Sequence, residues 1–94
     1  MKIINFKLIN GDEIIAKLIN DDASFLIIDQ PRSLQFNPEG TGAAFIPAMI
    51  MANDGEIKVY KSSISMYNEN VNSDYEKHYL QTVSGIQLAT SLRG

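Results

Sequence analysis

The sequence predicts a mostly-β domain, an antiparallel meander of five strands followed by a C-terminal α-helix. Three observations carry this prediction. Asn10-Gly11 separates two runs of alternating apolar residues, which is the strongest short-range mark of a hairpin turn. Turn-forming clusters recur at residues 20–24, 37–42 and 53–55, and each leads into a run with strand character. Ser73 with Glu76 three residues later is a capping box, and apolar residues at helical spacing come after it.

Taken in order, residues 2–10 form the first strand, with Ile4, Phe6 and Leu8 on one face and Ile3 and Ile9 on the other, because successive strand side chains alternate. Residues 12–20 return antiparallel, Ile14, Ala16 and Leu18 pointing one way and Glu13, Ile15, Lys17 and Ile19 the other. The third strand begins at Ser24 and continues past Pro31 to residue 36, since Leu26, Ile28, Leu34 and Phe36 share parity. Pro31 has no N–H to give a ladder, so the strand lies at an edge or bends there.

Residues 43–52 are apolar on both faces, Phe45, Met49 and Met51 against Ile46, Ala48 and Ile50. A strand apolar on both faces in a small domain needs a cover for the second one. Another subunit is the preferred cover, and the chain's own C-terminal helix is the alternative. Asn53-Asp54-Gly55 predicts a second hairpin turn. Beyond it Ile57 and Val59 have one parity, Ile64 and Met66 the other, which requires a bulge, a bend or a new strand at about residues 60–63. The helix covers residues 74–90 with Tyr75, Tyr79, Val83 and Ile86 on its apolar face, and residues 91–94 are expected to fray.

Ninety-four residues make a single domain, 1–94, with a thin core. The absence of cysteine removes disulfides and thiolate metal sites, which leaves association as a source of added stability. The N-terminal apolar run is broken by Asn5, Lys7 and Asn10, unlike a secretory signal. No stretch approaches the roughly 20 apolar residues of a membrane-spanning helix. A soluble cytoplasmic protein without membrane partners is the expectation. Eleven acidic and eight basic residues give a net charge of −3, and the basic ones are dispersed. Bulk attraction to phosphate backbones is thereby excluded, so any nucleic-acid site is local or built by symmetry.

Material for catalysis is sparse, and no enzyme, metal or cofactor is expected. His78 is the single histidine and falls within the predicted helix, where a surface position is expected. The pairs Asp12-Glu13 and Asp21-Asp22 are adjacent on strands or turns, so their side chains diverge and read as solvated turn charges. Gly40-Thr41-Gly42 lacks the lysine and following helix of a phosphate loop.

The run Leu8, Gly11, Ile14, Ala16, Leu18 and Asp22 resembles the first conserved segment of the Sm and Sm-like RNA-binding proteins, with Ala16 where that family usually has glycine. The run Val59-Tyr60-Lys61-Ser62-Ser63-Ile64-Ser65 is similar to the Val-Tyr-Lys-His-Ala-Ile-Ser segment of the bacterial Hfq family of Sm-like RNA chaperones. The resemblance covers residues 4–28 and, on fewer matches, 57–66. It implies a small, strongly bent five-stranded Sm-like (SH3-like) barrel over residues 2–67 with the helix behind it. It also implies a homo-oligomeric ring of about five to seven subunits closed by edge pairing.

By position Tyr60 would tie adjacent subunits and Lys61 would be the pore cation, while Ser62 replaces the family's histidine. Ala23 and Ser24 stand where Hfq has a glutamine and a stacking aromatic, and Leu26 stands at the base-reading asparagine. Uracil selectivity of the usual kind is therefore not expected. Phe25 supplies a stacking face if the loop is shifted by one residue, and its reading as a core strand residue stays open beside this.

Two strand counts remain. In one, Lys61 sits at the last strand connection and residues 31–56 contain an inserted hairpin; in the preferred one the fifth strand is 56–66, Lys61 lies within it and Asn53-Asp54 form the pore-side loop. The expected function is a non-catalytic ring that binds single-stranded RNA, or DNA, through Ser24, Phe25, Asn53, Tyr60 and Lys61. The alternative is an SH3-like barrel used as a protein-interaction or assembly module.

Overall fold

The computed structural model describes residues 1–40, 42–53 and 55–84. The chain runs β1 (Lys2–Leu8), β2 (Glu13–Asp21), β3 (Phe25–Phe36), β4 (Ala43–Pro47), β5 (Ile57–Tyr60), a 3-10 turn (Lys61–Ser63), β6 (Ile64–Asn68) and α1 (Ser73–Ser84). The strands form one six-stranded sheet in the order β4-β3-β2-β1-β6, with β5 also paired to β3. Every pairing is antiparallel.

The first hairpin forms at Asn10-Gly11 as the sequence indicates. The Gly11 N–H donates to the Leu8 carbonyl at 2.9 Å, and the Leu8 N–H to the Asp12 carbonyl at 2.8 Å. Gly11 has φ 97°, the left-handed region that a glycine enters without a Cβ penalty. Its place directly after the i to i+3 turn is the usual geometry of a three-residue hairpin loop.

β3 departs from simple alternation. Lys17 pairs with Asp29 but Ile15 pairs with Arg32, so Gln30 and Pro31 both oppose Ala16. Gln30 has φ 51°. The extra residue turns every later side chain to the other face. Leu34 and Phe36 thus do not share a face with Leu26 and Ile28, which corrects the parity read from sequence. Pro31 is accommodated because a bulge leaves a position without a ladder donor. A second register shift, between Leu18 and Asn20, makes Ile19 the extra residue of β2.

The two halves of β3 carry different partners on one edge: Phe25 to Ile28 pairs with β5, and Arg32 to Phe36 with β4. The expected strand 43–52 therefore ends at Pro47, and the expected strand 56–66 is two strands on different neighbours. β4 and β5 lie end to end and do not pair, so the hairpin expected at Asn53-Asp54-Gly55 does not form; Asp54 itself lies outside the described residues. Gly55 instead anchors the connection, its N–H donating to Asp29 Oδ1 at 2.9 Å.

The parity switch expected at residues 60–63 is the 3-10 turn. In three residues it carries the chain from β5, on the β3 edge, to β6, on β1. Three residues span about 10 Å at most, so the sheet curls until its two ends approach. The Ile9 N–H donates to the Ser63 carbonyl at 2.8 Å across this seam. β5 and β6 share no ladder, and the sheet stays open.

Ile4, Phe6, Ile14, Ala16, Leu26 and Ile28 are buried on the inner face, with Leu8, Leu18, Ile57, Val59 and Ile64 packed around them. Ile15 is buried on the opposite face. The cross-strand row Asn68, Asn5, Ile15, Arg32, Pro47 runs along that face. α1 covers part of it. Tyr79 is fully buried, meets the Phe45 ring edge-on at 6.1 Å and donates its hydroxyl to the Gln30 carbonyl at 2.7 Å. The chain's own helix thus covers Phe45, while Ile46, Met49, Ile50 and Met51 stay exposed. Helix capping falls one residue earlier than expected: Asn72 Oδ1 accepts from the Asp74 N–H at 2.9 Å. Asparagine caps as well as serine does. Residues 85–90 of the expected helix, with Ile86, lie outside the described residues.

Candidate nucleic-acid interface

Four of the five candidate residues come together where the sheet curls. The β2–β3 turn, held by the Asp22 N–H donating to the Phe25 carbonyl at 3.0 Å, presents Ser24 and Phe25. The start of the 3-10 turn presents Tyr60 and Lys61 against it. The Lys61 N–H donates to the Ser24 carbonyl at 2.9 Å, so the two turns are tied through their backbones. Phe25 pairs with Tyr60 across β3 and β5, and their rings meet edge-on with centroids 6.2 Å apart. Tyr60 is 57% exposed and Phe25 partly so. Phe25 therefore faces outward, with its neighbour Leu26 buried in the core.

Asn53 is not part of this cluster. It lines a shallow pocket with Pro31, Arg32, Pro47, Met49 and Ile57. Lys61 takes the last strand connection rather than the interior of a strand, so the structure agrees with the strand count that the sequence favours less.

The electrostatics modify the expected roles. Lys61 forms an ion pair with Asp21 at the end of β2, both side chains about half exposed. In the sequence Asp21 reads as a solvated turn charge because nothing local reveals a partner 40 residues on. Lys58 is a residue that sequence reasoning misses. It lies two residues before Tyr60, on the same face of β5, with its Nζ 4.3 Å from the centre of the Phe25 ring. That spacing is readable as an alternating Lys-x-Tyr pattern, but its neighbour ring is not.

Beside this cluster, Tyr67 donates to Glu69 Oε2 at 2.9 Å, and Lys2 pairs with Glu69 Oε1 at 3.0 Å. Burial, then the hydrogen bond and charge of Glu69, push the Tyr67 hydroxyl up to about 12. The hydrogen bond from Lys2, reinforced by that from Tyr67, holds the Glu69 carboxyl below its ordinary value.

On the opposite face a cleft of about 690 Å³ lies between the sheet and the start of α1, lined by Asn5, Glu13, Arg32, Asn68, Tyr75 and others. Two of its amides are linked in a chain to Glu13: Asn68 Nδ2 donates to Asn5 Oδ1, and Asn5 Nδ2 to Glu13 Oε2, each at 2.7 Å. His78 is exposed on α1. Among the described residues no group of three or more His, Cys, Asp or Glu could hold a metal ion, and no helix is long and apolar enough to cross a membrane.

Compared with known proteins, the chain matches no family model and no curated protein.

Proposed function

We propose that the chain is a divergent Sm-like subunit, its sheet curled into a strongly bent open barrel, that assembles into a ring and binds single-stranded RNA without catalysis. The observation that carries this reading is the convergence of Ser24, Phe25, Tyr60 and Lys61, from segments about 35 residues apart, on one exposed cluster. Aromatic faces stack on bases of any sequence, worth roughly 1–3 kcal/mol per base. The cluster lies where β5 turns into β6, and β4 and β6, the two ends of the strand order, carry no further strand among the described residues. Such edges seek a partner strand, and pairing β6 of one copy with β4 of the next generates a head-to-tail ring. A ring repeats one weak contact along a strand, so avidity compensates for the net negative charge.

A second reading, a protein-assembly module without nucleic acid, draws on the exposed apolar run Met49-Ile50-Met51 and on the charge of Asp21 beside Lys61. Native mass spectrometry of the protein with short uridine and adenosine oligonucleotides separates the two. One ring stoichiometry carrying a strand supports RNA binding. A ring that stays bare supports the assembly module, and a bare monomer overturns the RNA-binding ring.

A further inference from the structure

We propose that Lys58, and not Lys61, is the side chain that contacts the phosphate of a bound nucleotide, with Lys61 acting as a clamp that shapes the site. The inference rests on the RNA-binding reading above. Lys61 is committed twice, through its N–H to the Ser24 carbonyl and through its Nζ to Asp21. A phosphate that approached it would meet a carboxylate at the same point, so the pair offers no net positive charge. Lys58 makes no ion pair among the described residues and is exposed. Its ammonium lies over the Phe25 ring, an electrostatic contact with the negative ring face.

Position turns this contact into a mechanism. The ring face that Lys58 covers is one on which a base would stack, and Tyr60 meets the same ring in a T-shaped contact. A base entering that face displaces the ammonium, whose flexible four-carbon stem lets it swing to the phosphate of the same nucleotide. The ligand must offer a free base face and a phosphate together, which a single strand does and a duplex does not. Base identity is not read by this arrangement, since both contacts are common to all nucleotides.

The test is the affinity of a labelled uridine oligonucleotide across a potassium chloride series for wild type, Lys58→Ala, Lys58→Arg, Lys61→Ala and Asp21→Asn. Lys58→Ala is expected to weaken binding at least fivefold and to flatten the slope of log K against log salt by roughly 0.7 for each subunit the strand touches. Lys58→Arg should retain the slope, since it keeps the charge and the aromatic contact. Asp21→Asn should tighten binding severalfold by freeing positive charge at Lys61. If wild type binds and Lys58→Ala leaves affinity and slope unchanged, the assignment of Lys58 is overturned and RNA binding stands. A wild type that binds no oligonucleotide overturns the RNA reading and this inference with it.

Discussion

Gln30 shows how one residue can reorganise a strand. A non-glycine residue at φ 51° costs about 1–2 kcal/mol, and its Oε1 is buried without a hydrogen-bond partner among the described residues. Gln30→Gly is therefore expected to raise stability by about 1 kcal/mol, read as a higher urea midpoint at unchanged slope; a fall would show that the Gln30 side chain outweighs its strain. Tyr67 makes a pH-dependent prediction. An unfolded tyrosine loses its proton near pH 10, whereas in the fold Tyr67 holds it to about 12. Between those values the unfolded state binds fewer protons, so stability falls as pH rises through that window. Thermal melts from pH 9 to 12 should show the decline, and Tyr67→Phe should make it shallower. Glu69, held below its ordinary value, acts in the opposite sense: its contribution is present above the ordinary carboxyl pKa and is lost as pH falls through the lowered one.

At the scale of the element, α1 is held through few contacts. Tyr79 is its one fully buried side chain among the described residues, and it both packs on Phe45 and hydrogen-bonds the bulge. Tyr79→Ala is expected to cost about 3–5 kcal/mol, as for other large aromatic truncations. In a domain of this size that is enough to lose the folded state at moderate temperature. Tyr79→Phe keeps the packing and removes the hydroxyl, at about 1 kcal/mol. Chemical denaturation of the two variants separates packing from the hydrogen bond. The same residue is how the helix covers β4: its ring reaches Phe45 within the same chain.

For the whole molecule, the decisive features are the curled sheet with its open ends and the exposed apolar connection between β4 and β5. Met51 is 98% and Ile50 86% exposed, so replacing Met49, Ile50 and Met51 together by serine removes little buried area. Sedimentation and thermal melts of that triple variant should show an unchanged melting temperature and, for the proposed edge-paired ring, unchanged assembly; reduced self-association would favour the protein-assembly reading. Unchanged association would confine assembly to the strand edges. This surface is visible in the sequence as a two-sided apolar run, but there it reads as a continuation of the strand. Pro47 ends the ladder, and residues 48–56 form a connection that steps along β3 to reach β5.

The β class, the hairpin at Asn10-Gly11, the inner face of β1 and β2 and the existence of α1 are all legible in the residue pattern, because period-two alternation, a left-handed glycine and a capping pattern act within a few residues of chain. The same pattern locates the break at residues 60–63, since a parity change cannot be hidden. Where that break leads is set by long-range pairing. The bulge at Gln30, the split of one β3 edge between β4 and β5, the pairing of Lys61 with Asp21 and the station of Lys58 over Phe25 all depend on partners far away in sequence. Pro31 marks a bend in β3 but not the register beyond it, and a charge names no partner until the fold brings one to it.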